Sequence, residues 1–532
     1  MMQDCPLTLN HFVSRAQSMH RASRITAATP EGGRQRVDLA SWARRVQRVG
    51  PLLDRLGVSR GARVGTLAWN TVQHLELTFG VPCSGRVLHA VNIQLPPDQA
   101  AYTIDHAEDE VLFVEHSLLA RVWPMLRERK AVRHIVVLSD DRCPTPPEAA
   151  GRILDYEELM ASAAGPGTFS SQDEYSAAVL CYTSGTTGRP KGVLYSHRSL
   201  FLSTLALMTR DLCGIGEDDT VMPAVPLYHA GAWGYPHAAI AAGADLVLAG
   251  PHPAPETLVD LLEQEHVTVA AAVPTVWAAC APLLPGRRLG SLRRLGSGGA
   301  LTSPDIQRAY QLHAGVPLLT GWGMTETSAV GTLPPDPHST GHSSAVGRLP
   351  AGSEGRIADP RTGTEQPWDG QSAGELQLRA PWAAAAYFGH EDTPTTPDGW
   401  LRTGDLATIG PYGHITLAGR LNDMIKSGGE WISPLALENA IMSCPGIRQA
   451  AVIGVDHPHW GQRPAAYIVP AGPAFPVSRI RDHLSTTVPS WHIPDDFILI
   501  DTLPTNSTGK PDKQALHRDY RHRHAPAATP QA

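Results

Sequence analysis

The chain has 532 residues, 44 Lys and Arg against 51 Asp and Glu, and a formal charge of −7 at pH 7. Single cores stop growing at roughly 250–300 residues, so several packed units are expected, and 42% apolar residues exclude a disordered chain. The mild acidity argues against a nucleic-acid partner, and no apolar run approaches the roughly 20 residues that span a bilayer.

The start, Met1 to Cys5, carries Asp4 where a signal peptide carries positive charge, so none is expected. The seven cysteines are scattered without a CxxC pair, which fits a reducing cytoplasm better than a disulfide framework. Apolar residues at 39, 42, 46, 49, 52, 53 and 56 predict a helix over 39–56. A strand at 64–68, a helix at 71–81 ending near Pro82, a strand at 111–115, a helix at 117–129 and a strand at 134–138 follow. The alternation continues with a strand at 177–182, a helix at 197–210, a strand at 245–248, a helix at 256–265 and a strand at 267–273. Such alternation predicts an α/β fold with largely parallel sheets. The Pro/Gly/Ser/Thr-rich stretches 141–151, 162–172 and 333–344 read as loops. Short strands at 355–357, 374–378 and 414–417 predict a small β-rich subdomain after about residue 350. From 434 a compact α/β pattern returns, with helices at 434–443 and 477–487 and strands at 450–455, 465–469 and 497–500. The tail from 519 is expected to fray.

The segment Tyr182-Thr-Ser-Gly-Thr-Thr-Gly-Arg-Pro-Lys-Gly-Val193 follows a strand and precedes a helix expected near Ser196. Small residues let backbone N–H groups converge on an anion. Thr183, Ser184, Thr186 and Thr187 add hydroxyls, Gly185 and Gly188 add freedom, and Lys191 adds a point charge. This reads as a phosphate cradle without the spacing of the common P-loop, although a surface loop has similar composition. Only five lysines occur, at 130, 191, 426, 510 and 513, among many arginines. Retained lysines at 191, 426 and 510 therefore suggest sites that need a compact ammonium.

This segment resembles the phosphate-binding signature of the adenylate-forming superfamily, which includes acyl-CoA synthetases, peptide-synthetase adenylation domains and luciferases. Further matching segments follow in the family's order: Pro226 to Trp233, Gly321 to Glu326, Thr403-Gly-Asp405, Gly419-Arg420 with Lys426 to Ser433, and Asn506 to Lys510. The resemblance implies a large N-terminal domain over 1–418, made of two αβ-layered subdomains and the β-rich one. It further implies a hinge at 419–424 and a small mobile α/β domain over 425–532.

The site residues below are implied by that resemblance. Thr183 and Glu326 are placed near a Mg²⁺ ion, which prefers oxygen ligands. Asp405 accepts from the ribose hydroxyls, and Arg420 bridges to ribose or phosphate. Gly299, Thr320, Gly321, Trp322, Gly323, Thr325 and Lys426 complete the ATP site. Lys510 stabilises charge that develops at the α-phosphate, with His229 and Glu326 as further catalytic residues. Asn422 takes the hinge position, and Gly428, Gly429 and Trp431 line a channel for a pantetheine thiol. Taken alone, Glu326 is also what a solvated loop acid looks like, Asp405 an ordinary turn aspartate, and Lys510 an exposed surface lysine.

From Tyr228 to Pro236 there is no acid to pair a substrate ammonium, so an amino-acid substrate is disfavoured. His229 and Trp233 look most like fatty acyl-CoA synthetases, where the matching indole gates a tunnel. Gly298 and Gly323 are expected to complete the acyl site. The small residues Gly231, Ala232, Gly234 and Ala238 to Ala242 leave room for a chain or mark close helix packing. The leading expectation is ATP-dependent activation of a medium- or long-chain fatty acid to acyl-AMP, then transfer to CoA. Loading of carrier-protein pantetheine, and an aryl or short-chain acid, remain alternatives. An inactive adenylate-binding protein is opposed by intact Glu326, Asp405, Arg420 and Lys510. A Rossmann oxidoreductase fails for lack of Gly-x-Gly-x-x-Gly after the first strand. The acceptor, a carrier-protein partner and a homodimer stay open.

Overall fold

The computed structural model describes residues 2–138, 153–163, 169, 172–183, 189–251, 253–300, 302–334, 345–391, 393–472, 475–506 and 510–524. The three loops expected at 141–151, 162–172 and 333–344 fall largely outside these residues.

Two seven-stranded sheets form most of the molecule. One runs Ile153–Asp155, His134–Leu138, Val111–Glu115, Arg63–Leu67, Val87–Ala90, Ala177–Tyr182 and Gly192–Ser196. The other runs Leu318–Thr320, Arg294–Ser297, Val269–Ala272, Thr220–Pro223, Asp245–Leu248, Arg24–Ala28 and Arg34–Asp38. Each is parallel except for one antiparallel edge strand. Parallel sheets need both faces covered, and the helices Leu39–Arg55 and Val72–Cys83 supply cover. Every residue of Val72–Cys83 is buried, the polar Gln73, His74, Glu76 and Thr78 included. Thr71 caps it by accepting from the His74 N–H at 3.3 Å. One core joins Val64 and Leu88 of the first sheet to Leu246 and Val269 of the second.

Asn70 ties the two halves together. Its Nδ2 donates to the Val225 carbonyl at 2.8 Å, and its Oδ1 accepts from Leu227 N–H at 2.8 Å. The third sheet is antiparallel, in the order Ala345–Gly347, Ile415–Arg420, Leu401–Ile409, Gly374–Arg379 and Glu354–Ala358. The fourth begins at Ile425–Ser427, after the third has ended at Arg420, and pairs Ile447–His457 with Gly461–Pro470.

Several local expectations need correction. A strand, Gly192–Ser196, lies between the phosphate segment and the helix, which spans His197–Met208. The described flanks of the segment pair antiparallel, Tyr182 opposite Gly192. Asp405 lies within the long strand Leu401–Ile409 rather than in a turn. The expected fraying from 519 is replaced by the helix Lys513–Arg523, capped by Asp512; residues 525–532 lie outside the described part. The small residues Ala238 to Ala242 are buried in the helix Tyr235–Ala242 within the core, which is the close-packing alternative.

Candidate active site

Parallel strands place their following loops on one side, and ligands bind at that carboxyl edge. Here both seven-stranded sheets aim this edge at one cavity of about 180 Å³. From the first sheet come His89 at the end of Val87–Ala90 and Thr183 just after Ala177–Tyr182. From the second come Tyr228 and His229, then Gly298 and Gly299 after Arg294–Ser297, then Gly321 to Thr325 after Leu318–Thr320.

Lys510 completes the cavity from the fourth-sheet region. It is not an exposed surface lysine: a Cβ at Gly299 would stand 3.2 Å from its Cε. Its main chain is tied to Asn506. Asn506 N–H donates to the Lys510 carbonyl at 2.8 Å, and Lys510 N–H donates to Asn506 Oδ1 at 3.1 Å. Burial, aided by the nearby Arg420 charge, pulls the ammonium pKa down to about 8; Asp405 and Glu326 oppose that shift. An ammonium facing two carboxylates across a desolvated cleft is arranged to meet a polyanion.

Asp405 is 6% exposed. It sits opposite Arg420 in the antiparallel ladder, which puts the Arg420 Nε 2.7 Å from its Oδ1. The Trp322 indole N–H donates to Oδ2 at 2.8 Å. Burial pushes the Asp405 carboxyl up, and Arg420, Trp322 and Lys510 pull it back. Trp322 thus links Asp405 to the cavity wall.

Glu326 is 7% exposed and accepts from the Tyr387 hydroxyl at 2.7 Å. The same Tyr387 ring lies 4.7 Å under the Lys191 ammonium. Thr183 and Lys191 meet through Thr183 N–H to the Lys191 carbonyl, 2.9 Å. Among the described residues no three His, Cys, Asp or Glu side chains gather as a metal cluster. One buried carboxylate and one hydroxyl nevertheless suit Mg²⁺, which takes few protein oxygens beside phosphate and water. Glu326 and Thr183 are the residues that would hold it.

The segment with His229 and Trp233 carries backbone strain. Ala230, Ala232 and Trp233 have φ of 43°, 52° and 56°, a left-handed turn that costs L-residues about 1–2 kcal/mol each. The Trp233 indole covers Gly298, where a Cβ would stand 3.0 Å from Cη2. Leu207, Leu212 and Val330 also line the cavity, and a Cβ at Gly234 would stand 2.7 Å from Leu207 Cδ1.

Of the expected site residues, Thr183, His229, Trp233, Gly298, Gly299, Gly321, Trp322, Gly323, Thr325 and Lys510 line this cavity. Asp405, Arg420, Glu326 and Lys191 adjoin it through the contacts above. Ser184, Gly185, Thr186, Thr187 and Gly188 lie outside the described residues. Thr320 is buried behind the wall. Lys426, Gly428, Gly429 and Trp431 are not brought into the cavity: the Lys426 ammonium lies 5.8 Å over the exposed Trp431 ring, and Gly428 packs against Trp460. Asn422 is exposed in the short turn Leu421–Asp423. Tyr387 and His89 were not anticipated, because neither falls in a segment with a recognisable spacing.

Comparison with known proteins agrees with this geometry. The AMP-binding enzyme family matches residues 15–388, and the AMP-binding enzyme C-terminal domain matches 436–510. The chain is 38% identical to a 3-methylmercaptopropionyl-CoA ligase of Ruegeria pomeroyi, over 97% of this chain and 98% of that protein. It is also 38% identical to a long-chain-fatty-acid–CoA ligase of Thermus thermophilus, over 98% of this chain and 97% of the other. The crystal structure of ATP-bound MatB from Rhodopseudomonas palustris superposes with a TM-score of 0.84 at 26% identity, covering 98% of this chain and all of that one. With both halves matched in order around a shared cleft, the chain belongs to the AMP-binding enzyme family and is an AMP-forming acid–thiol ligase.

Proposed function

We propose that this protein activates a medium- or long-chain fatty acid to acyl-AMP, releasing pyrophosphate, and then transfers the acyl group to CoA. The carrying observation is that Lys510, presented by the C-terminal part, shares one cavity with Thr183, Trp322, Trp233 and the apolar side chains Leu207, Leu212 and Val330. In this reading the carboxylate attacks the α-phosphate of ATP, and the Lys510 ammonium stabilises the charge that builds there. Asp405 holds the ribose, with Trp322 and Arg420 fixing the carboxylate's orientation. Thr183, Lys191 and the segment between them hold the phosphates. A magnesium ion on Glu326 and Thr183 supplies charge neutralisation at the phosphates when bound.

Lys510 and Gly428-Gly429 serve different halves of the reaction. With Lys510 in the cavity and the two glycines outside it, this arrangement suits adenylation. Thioester formation then requires rotation of the segment after 424 about the 419–424 hinge, so that domains 1–418 and 425–532 move relative to each other. The apolar side chains of the cavity favour an alkyl chain, and the likeness to a long-chain-fatty-acid–CoA ligase supports it. The likeness to a 3-methylmercaptopropionyl-CoA ligase makes a short thioether acid the second reading. A pyrophosphate-release screen over acids of graded length, with and without CoA, tests both. Release with no acid in the panel overturns the activity, and release only with short thioether acids overturns the fatty-acid assignment.

A further inference from the structure

Thioester formation on the proposed pathway needs more than a channel. The nucleophile is the thiolate, whereas free thiols are mostly protonated at neutral pH. His89 of the cavity wall and its buried partner Asp109 bear on this need.

His89 lies in the cavity wall together with His229 and Thr183. Its Nδ1 is 2.7 Å from Asp109 Oδ2, and the two side chains are 1% and 0% exposed. The fold builds this contact on purpose-made ground. Asp109 follows the left-handed Glu108 (φ 53°) that ends the helix Pro97–Ala107. Gly65 must lack a side chain, because a Cβ there would stand 2.9 Å from Asp109 Oδ2. Among the described residues, the second oxygen, Asp109 Oδ1, is buried without a hydrogen-bond partner. Burial pushes the Asp109 carboxyl up; His89 and Arg63 counter it. With Nδ1–H donated to Asp109, the ring's lone pair is on Nε2, as in carboxylate-oriented imidazole bases.

We propose that His89, oriented by Asp109, accepts the thiol proton during transfer of the acyl group from AMP to CoA. The S–H bond breaks and its proton goes to Nε2. Sulfur forms a bond to the acyl carbon, and the acyl C–O bond to phosphate breaks, so AMP leaves with the electron pair. The proton then returns to solvent. The groups facing the pair are Arg63 and Asp105 near Asp109, and His106 and the Tyr182 ring near His89, the last at 5.0 Å between centroids. Tyr182 is itself tied to His106 through its hydroxyl at 2.7 Å. This inference rests on the proposed thioester step and assigns its base.

The test is single-turnover thioester formation from supplied octanoyl-AMP and CoA, over a range of pH, with the full chain. His89→Gln should lower that rate about 100-fold, the usual contribution of a general base, and Asp109→Asn should lower it in the same direction. The loss in acid-dependent pyrophosphate exchange should be much smaller. The wild-type rate should level off with rising pH and slow in D₂O, while the His89→Gln rate keeps climbing as the thiol ionises. Equal losses in both half-reactions, or a wild-type pH profile matching that of His89→Gln, overturn the assignment. Should the variants fail to fold, a wild-type rate indifferent to D₂O overturns it alone. Failure of the wild type to exchange pyrophosphate with any acid would instead strike the proposed function, and supplied octanoyl-AMP would still interrogate the pair.

Discussion

The Trp322 indole N–H donates to Asp405 Oδ2 at 2.8 Å while the Arg420 Nε holds Oδ1 at 2.7 Å. The carboxylate is thus oriented from both sides before any ribose arrives. A hydrogen bond to a charged group contributes about 1.5–3 kcal/mol. Trp322→Phe keeps the ring and removes the donor, so the KM for ATP should rise about tenfold or more. Pyrophosphate exchange at varied ATP measures it, and an unchanged KM would remove Trp322 from the orientation of Asp405.

Lys510 supplies charge, and its ammonium titrates early. Because burial lowers its pKa to about 8, the charged form is complete well below that pH and is lost as pH rises through it. Adenylation kcat/KM should therefore fall on the alkaline side near pH 8. Lys510→Ala should lower adenylation about 100- to 1,000-fold at pH 7 and abolish that limb. Thioester formation from supplied acyl-AMP should survive, because on the proposed pathway only the first step uses this ammonium.

Trp233 stands in a strained turn over Gly298, in the lining of the same cavity as Leu207 and Leu212. Trp233→Ala opens that lining and should shift the preferred chain length. Rates across C4 to C18 acids report it, and a superimposable profile would reject the gate.

Tyr387 holds Glu326 Oε1 at 2.7 Å. Partners that orient a metal-binding carboxylate typically contribute 10- to 100-fold in metal affinity. Tyr387→Phe should raise the Mg²⁺ concentration for half-maximal adenylation by about tenfold. A magnesium titration with unchanged midpoint would separate Glu326 from the metal.

Far from the cleft, Glu76 is 1% exposed and is held by Arg45 Nε at 2.6 Å and by the Tyr156 hydroxyl at 2.8 Å. Breaking a buried pair costs about 3–5 kcal/mol, since a charge is left uncompensated. Arg45→Met should destabilise the protein by about that amount in urea unfolding at neutral pH. Burial already pushes the Glu76 carboxyl up, and losing Arg45 pushes it further. A raised folded-state pKa contributes stability at low pH and loses it as pH rises. The variant should thus be less destabilised at pH 5 than at pH 8.

The resemblance to the adenylate-forming superfamily supplied Lys510, Glu326 and Asp405 as candidates, while the sequence by itself determined the alternation of strands and helices and the glycine-hydroxyl segment after Tyr182. Those are local properties: periodicity in Leu39–Arg55 and glycine-hydroxyl runs near Thr183 are written in adjacent residues. It could not give the strand around Asp405, whose polar Thr-Gly-Asp reads as a turn until Arg420 pairs across from it. Nor could it give the helix at 513–523, whose few apolar positions hold only because Leu516 packs against Tyr467 and Ile453. Tertiary structure alone decided that Trp322 fixes Asp405, that Tyr387 fixes Glu326, and that His89 meets Asp109. Each pair joins residues 20 or more positions apart in the chain. Such contacts arise only when parallel strands turn their carboxyl ends to one cleft and an antiparallel sheet closes beside it. No pattern in neighbouring residues encodes that convergence.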